Sequence, residues 1–177
     1  MTGSKCIGVD VGYGYTKIVT DSAEGLSKIS FPSVVGNYED RIVVIEGLRP
    51  SNLELVEIDK ETLLVGQSAL KHSTRTFNAR EKNLIGSTAY RALMKNATQH
   101  ANPSSINIVM TNGLPVSYYK TDRAKLTNLI RDIVKEEAIT AKIKVIPQPL
   151  GSFFALLFDN NGEVQNEALV SSRVGVT

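Results

Sequence analysis

The chain contains 177 residues, which is enough for one domain with a real core and a small insertion. Its hydrophobic content of 42% and charged content of 21% are ordinary for a soluble globular protein, and its formal net charge is only +2. No basic stretch with interleaved aromatic residues is present, so the composition gives no support to direct nucleic-acid binding.

The single cysteine and the first residues bear on the cellular compartment. Cys6 cannot form an internal disulfide, and its place in the apolar run Cys6–Val9 predicts a small core residue. No signal-peptide pattern follows Met1, and no apolar stretch is long enough to span a bilayer. We therefore expect a cytoplasmic protein without a membrane partner.

The first third of the chain has the pattern of β-strands. Apolar and β-branched residues fill Cys6–Val11, Tyr15–Thr20 and Ser27–Phe31. The first two segments are separated by only three residues, Gly12–Gly14, and such a short glycine-containing turn is typical of a hairpin. The sequence therefore predicts an opening meander of three antiparallel strands.

The segment from Gly36 to Lys82 has a weaker pattern. Strands are predicted at Arg41–Ile45 and at Leu53–Ile58, and the second shows clean alternation of apolar and polar residues. A short apolar run, Leu63–Gly66, comes next, and the polar stretch Thr74–Lys82 predicts a loop. We interpret the whole segment as a small β-containing insertion.

Helices and strands alternate in the rest of the chain. Helices are predicted around residues 85–97, 126–134 and 150–158, and the last is apolar enough to be buried. Alternating helices and strands form parallel neighbours joined by crossovers. The predicted fold class is therefore α/β: a mixed five-stranded sheet, three antiparallel strands followed by parallel ones, flanked by helices. The remaining predicted elements are strands at Ser105–Thr111, Ile143–Ile146 and Ala168–Val170, and a turn at Asn112–Pro115.

The sharpest chemical signal is the segment Asp10-Val11-Gly12-Tyr13-Gly14-Tyr15-Thr16-Lys17 at the tip of the predicted hairpin. Its two glycines let backbone N–H groups approach an anion closely, Thr16 adds a hydroxyl, and Lys17 adds a point charge suited to phosphate. Asp10 ends the first strand, where it could hold Mg²⁺ through water. The spacing of a P-loop is absent, and Lys17 stands where a dinucleotide fingerprint has its third glycine. An ordinary glycine-containing turn with a solvated acid and amine is the alternative.

Two further segments could carry chemistry. Pro147-Gln148-Pro149-Leu150-Gly151 lies between a predicted strand and a predicted helix, where a glutamine can orient an attacking water on a γ-phosphate. Judged locally, prolines that shape a helix start explain this segment better, with Gln148 incidental. Thr111–Val116 lies where α/β sheets place ligands, but a normal strand-to-helix turn is the simpler interpretation.

Together and in this order, the three segments resemble the actin-like proteins of the ParM/StbA type and their archaeal relatives. The resemblance covers nearly the whole chain. Its first loop is shared with sugar kinases and chaperone ATPases, whereas the later segments point to the actin-like branch. The segments that carry it are Ile7–Lys17, Phe31–Gly36, Val65–Ala69, Asn112–Tyr119 and Val145–Gly151.

By position, this resemblance implies a site for ATP and Mg²⁺. Asp10 would hold the magnesium shell and act in catalysis, and Gln148 would orient the attacking water. The implied fold is of the actin/ribonuclease-H type, with residues 1–170 as the N-terminal domain, 36–82 as a small outer subdomain, and 171–177 as the start of a connection to a second domain. The residues expected to contact ATP are Gly12, Tyr13, Gly14, Tyr15, Thr16 and Lys17.

The resemblance also implies a function: an ATP-hydrolysing, filament-forming protein for plasmid DNA segregation. Its expected partners are its own protomers and a DNA-bound adaptor protein. In the family, a second phosphate loop and the adenosine pocket follow in a further domain. We therefore expect this chain alone to hold half of the nucleotide site, to bind ATP weakly and to be inactive. Two alternatives stay open: a non-catalytic binding or filament-capping module of the same fold, and a small-molecule kinase of the same superfamily.

Overall fold

The structure is a computed structural model that describes residues 5–22, 25–39, 53–78, 84–101, 108–137 and 139–171. Within these ranges the strands are, in chain order, β1 (Lys5–Val11), β2 (Tyr15–Ser22), β3 (Gly25–Pro32), β4 (Val34–Asn37), β5 (Leu55–Ile58), β6 (Glu61–Val65), β7 (Thr76–Asn78), β8 (Ile108–Leu114) and β9 (Ala141–Pro147). The helices are α1 (Gly66–His72), α2 (Thr88–His100), α3 (Val116–Glu136), α4 (Gln148–Leu157) and α5 (Glu167–Ser171), with a 3-10 turn at Leu84–Gly86.

The main sheet has five strands in the order β3-β2-β1-β8-β9. Strands β1, β2 and β3 pair antiparallel, whereas β8 pairs parallel with both β1 and β9. The parallel strands β8 and β9 are joined by the crossover helix α3, since parallel neighbours cannot be joined by a tight turn. The predicted mixed sheet, with a three-stranded antiparallel part followed by parallel strands, is confirmed.

A second, antiparallel sheet has the order β5-β6-β4-β7. Strand β5 confirms most of the strand predicted at Leu53–Ile58, and the strand predicted at Arg41–Ile45 lies outside the described residues. The loop predicted at Thr74–Lys82 is wrong for its first part, because β7 pairs there with β4. Helix α1 was not predicted from the sequence at all, since only its Gly66, Ser68 and Ala69 are buried and it shows no apolar stripe.

One face of the main sheet packs against α2 and α3. Ile7, Val9 and Val11 alternate along β1 and are buried on this face. They belong to one core with Leu93 of α2 and Ile130 of α3, both fully buried. Each such burial contributes roughly 1.5–3 kcal/mol, so the layer holds β1 and its carboxyl end firmly in place.

The opposite face of the main sheet is more open. Successive strand residues alternate between faces, so Cys6, next to the buried Ile7, lies on the open side and is exposed. The prediction that Cys6 is a core residue is therefore wrong.

Three predicted elements after residue 108 are also corrected. The turn predicted at Asn112–Pro115 is mostly strand, because Asn112–Leu114 pair in register with Val145–Pro147 of β9. Helix α4 is apolar as predicted but not buried, since Leu157 is its one buried residue in the described structure. The strand predicted at Ala168–Val170 is the short helix α5. The predicted connection at 171–177 lies, from residue 172 onward, outside the described residues.

In the described part of the chain, no helix combines the length and apolar character needed to cross a bilayer.

Candidate functional site

Asp10 and Lys17 face each other across the first hairpin. They are register partners in the antiparallel pair of β1 and β2, so both side chains extend from the open face. Lys17 Nζ lies 3.7 Å from Asp10 Oδ2, and the side chains are 64% and 38% exposed. Such an exposed pair adds little stability, because water screens it. The acid and the amine therefore stay available to a ligand on the same side of the sheet.

Gln148 joins this pair from the other end of the chain. It is the first residue of α4, directly after β9, and its Nε2 donates a hydrogen bond of 2.7 Å to Asp10 Oδ1. A carboxylate can only accept, so this contact requires the amide nitrogen to face Asp10. The structure thus brings Gln148 of the later segment to Asp10 and Lys17 of the first hairpin.

A groove of about 320 Å³ lies on the open face beside these residues. Its walls include Asp10, Lys17, Thr111, Ile146 and Gln148. It lies towards the carboxyl ends of β1, β8 and β9, which is where α/β sheets place their ligands.

A larger cleft of about 410 Å³ lies elsewhere, between α2 and α3, with Arg91, Tyr118 and Lys125 in its walls. We assign the site to the smaller groove, because the predicted acid, amine and glutamine converge there and none of them lines the larger cleft.

The turn between β1 and β2 uses one of its own amides. The Gly12 N–H donates to the Tyr15 carbonyl at 3.1 Å, and a Cβ added at Gly12 would lie 3.0 Å from that same oxygen. Glycine is therefore needed for a close backbone contact, and its amide closes the turn instead of facing a ligand. Tyr13 and Tyr15 are both more than half exposed at this tip.

Thr16 does not face the groove. It is fully buried on the core side, and its hydroxyl lies 2.9 Å from the Ser33 hydroxyl. The Ser33 N–H donates to the Gly14 carbonyl at 2.9 Å, so the backbone of Ser33 is hydrogen-bonded to the tip of the hairpin. Alternation along β2 puts Thr16 and Lys17 on opposite faces, so the Thr16 hydroxyl, which was expected to contact phosphate, lies on the side of the sheet away from the groove.

Thr111 and Gly113 are site residues that the sequence analysis missed. Both lie on the groove side of β8, and a Cβ added at Gly113 would lie 2.9 Å from Gln148 Cγ. The segment Thr111–Val116 did attract notice, but it was interpreted as a plain turn. Its place at the carboxyl end of a strand was the right signal, but it was given less weight than the simpler interpretation as a turn.

Tyr90 of α2 lies buried beneath the sheet. Burial raises the pKa of the Tyr90 phenol above its ordinary value, and the negative charge of Asp10 raises it further. The phenol therefore stays protonated at any physiological pH. Tyr90 is buried in the core, so it is not suited to act as a base in the groove.

The residues present suit a magnesium ion that keeps most of its water. Among the described residues, no group of three or more His, Cys, Asp or Glu could hold a metal ion. Mg²⁺ is often held by one or two carboxylates together with substrate phosphates. Asp10 supplies one partly exposed carboxylate at the groove and fits that arrangement.

Residues 8–151 match the family described as actin-like proteins, N-terminal domain. This match covers most of the chain, and the chain belongs to this family.

Solved structures with the same fold include three actin-like proteins. An Alp12 filament is 21% identical, with a TM-score of 0.58 over 86% of this chain and 49% of Alp12. A non-polymerising MamK mutant bound to AMPPNP is 20% identical, with a TM-score of 0.57 over 89% of this chain and 46% of MamK. A filament of AlfA from the B. subtilis plasmid pLS32 is 14% identical, with a TM-score of 0.55 over 88% of this chain and 61% of AlfA.

The chain thus spans about half the length of the Alp12 and MamK structures. No protein with a curated description matches it significantly.

Proposed function

We propose that this chain is the N-terminal half of an actin-like protein that binds and hydrolyses ATP and assembles into filaments. One observation carries the proposal: Gln148 Nε2 lies 2.7 Å from one oxygen of Asp10, and Lys17 Nζ lies 3.7 Å from the other. The three side chains meet at the open groove of a fold shared with a MamK structure bound to AMPPNP.

Each of the three side chains has a separate role in this proposal. Lys17 neutralises the terminal phosphates, since an ammonium is a point charge suited to phosphate oxygens. Gln148 orients a water molecule toward the γ-phosphorus, and attack by that water breaks the bond to the bridging oxygen, releasing ADP and phosphate. Asp10 holds the Gln148 amide and would hold the hydrated Mg²⁺, which when bound neutralises phosphate charge.

The domain limits belong to the same proposal. Residues 1–170 form the N-terminal domain, residues 36–82 form its small outer subdomain, and 171–177 begin the connection to a second domain. The separate antiparallel sheet formed by β4, β5, β6 and β7 supports such a subdomain.

Filament assembly and plasmid segregation are the finer parts of the proposal. The Alp12 and AlfA structures are filaments, and AlfA comes from a plasmid. We propose self-association in the cytoplasm, with cargo DNA attached through an adaptor protein.

The test uses the full-length protein with ATP and Mg²⁺. Gln148→Ala should lower the hydrolysis rate at saturating ATP on the order of 100-fold with little change in ATP affinity, because only a positioning group is removed. Lys17→Met should weaken ATP affinity roughly 10–100-fold, the usual value of a hydrogen bond to a charged group. Phosphate release and nucleotide titration measure the two effects.

Lys28→Met is the matched control, since Lys28 is an exposed lysine on the neighbouring strand β3 and is paired with Val19, two residues from Lys17. Its hydrolysis rate and affinity should equal those of the wild type. Unchanged hydrolysis in both Asp10→Ala and Gln148→Ala would refute the proposal. Filament formation is tested by sedimentation: the wild-type protein should pellet in the presence of ATP, and Asp10→Ala should not.

A further inference from the structure

Gly113 occupies a strand position whose backbone does not require glycine. It lies inside the ladder of β8 with β9, paired with Ile146. Gly25, Gly66 and Gly162 have a positive φ, and Gly113 does not belong to this set. Glycine also weakens a strand interior, because it loses more backbone freedom and offers no side chain to pack. The reason for glycine here must therefore be space.

The open space beside Gly113 lies against Gln148 and Asp10, the two site residues that are hydrogen-bonded to each other. A Cβ added at Gly113 would be 2.9 Å from Gln148 Cγ and 3.4 Å from Asp10 Oδ1. Non-bonded carbon atoms prefer about 3.5–4.0 Å, so the first contact is a clash. Cγ is in the middle of the glutamine side chain, and relief of the clash would swing the amide away from Asp10.

We propose that Gly113 is a positioning residue for ATP hydrolysis. Its missing side chain lets Gln148 lie across the end of β8 and donate to Asp10. The carboxylate fixes which way the amide is turned, and the amide oxygen is then the atom that accepts a proton of the attacking water. This inference rests on the proposed function, but the position of the amide can be tested without hydrolysis.

Gly113→Ala is the test variant, and the side-chain amide signals of Gln148 in an ¹⁵N-labelled sample of this chain are the first readout. We expect these signals to shift and to lose protection from exchange, while the thermal midpoint is maintained or raised. Gly8→Ala is the matched control: Gly8 is a strand glycine of the same sheet, and its added Cβ would meet only the Val19 carbonyl, at 3.9 Å. It should leave the Gln148 signals in place.

Hydrolysis by the full-length protein is the second readout. Gly113→Ala should lower kcat on the order of 100-fold and leave KM nearly unchanged, as expected when a catalytic group is misplaced by about 1 Å. In a Gln148→Ala background it should have no further effect, because alanine has no Cγ to collide with. This double variant also serves if the single variant folds poorly, since the clash is absent from it.

The outcomes separate the two proposals. Unmoved Gln148 signals and an unchanged kcat in Gly113→Ala would overturn the role of Gly113. An equal additional loss in the Gln148→Ala background would also overturn it, because the effect would not pass through Gln148. Shifted Gln148 signals in this chain, together with a wild-type full-length protein that never hydrolyses ATP, would overturn the proposed function and support the positioning of the amide by Gly113.

Discussion

Thr16 and Lys17 are neighbours in sequence, but they lie on opposite faces of the sheet and make different contacts. Lys17 points to the groove beside Asp10, whereas Thr16 is buried and bonded to Ser33. The Thr16 hydroxyl, which the sequence analysis expected to contact phosphate, links β2 to Ser33, the residue before β4. Its contribution to the site is indirect, because Ser33 also holds the Gly14 carbonyl at the hairpin tip.

The Thr16–Ser33 contact between two buried hydroxyls should contribute measurably to stability. Ser33→Ala should lower the free energy of unfolding by about 1–3 kcal/mol, because it leaves the buried Thr16 hydroxyl without its partner. The double variant Thr16→Val with Ser33→Ala should recover part of that loss. Urea denaturation measures both.

Ser30→Ala, at an exposed position of β3, is the control and should have the wild-type midpoint. A neutral Ser33→Ala would show that the buried hydroxyl finds another partner.

Helix α2 contacts strands of both sheets. Arg91 bonds Asp59 at 2.5 and 3.1 Å, and Lys95 donates to the Glu57 carbonyl at 3.2 Å. The hydrogen bond from Arg91 lowers the pKa of Asp59. A lowered carboxyl pKa means that this contact contributes above the unfolded pKa and is lost as pH falls through the folded value. The β5–β6 hairpin is therefore held at its turn.

The turn of the β5–β6 hairpin has a strained backbone. Asp59 and Lys60 have φ values of 53° and 69°, a left-handed conformation that suits a two-residue hairpin but disfavours lysine. Lys60→Gly should raise the free energy of unfolding by about 0.5–1 kcal/mol, the αL cost less the extra chain entropy of glycine.

Lys60→Ala is the control, because it removes the charge and keeps the Cβ that causes the strain. Equal stability of the two variants in thermal or urea unfolding would contradict the assignment of that strain.

For the whole molecule, the open face is the dominant feature. The site groove is about 320 Å³, at the lower end of the range for small-molecule pockets. Apolar side chains are exposed beside it on α4, including Leu150, Phe154 and Leu156. Exposed apolar surface of this kind is typical of a face that binds another structural unit.

We therefore predict weak nucleotide binding by this chain alone. A groove of that size cannot enclose most of ATP, so calorimetry should give a dissociation constant on the order of 1 mM or weaker. A micromolar constant for the isolated chain would contradict this prediction. Lys17→Met identifies the site of any residual binding, which it should abolish.

The amino-acid sequence by itself determined the elements that rest on local contacts. The opening hairpins follow from short turns between apolar strands, and the stripe of Leu126, Ile130, Ile133 and Val134 follows from helical periodicity. The common side of Asp10 and Lys17 is equally local, because a hairpin with so short a turn places them opposite each other.

Only the tertiary structure decided which distant residues meet and which faces are covered. The Gln148–Asp10 bond joins residues 138 positions apart, and the room for it is made by Gly113 on a third segment. The exposure of α4 and the helical form of α5 also escaped prediction. Apolar composition states how favourable burial is, but whether a partner surface lies opposite depends on the packing of the whole chain.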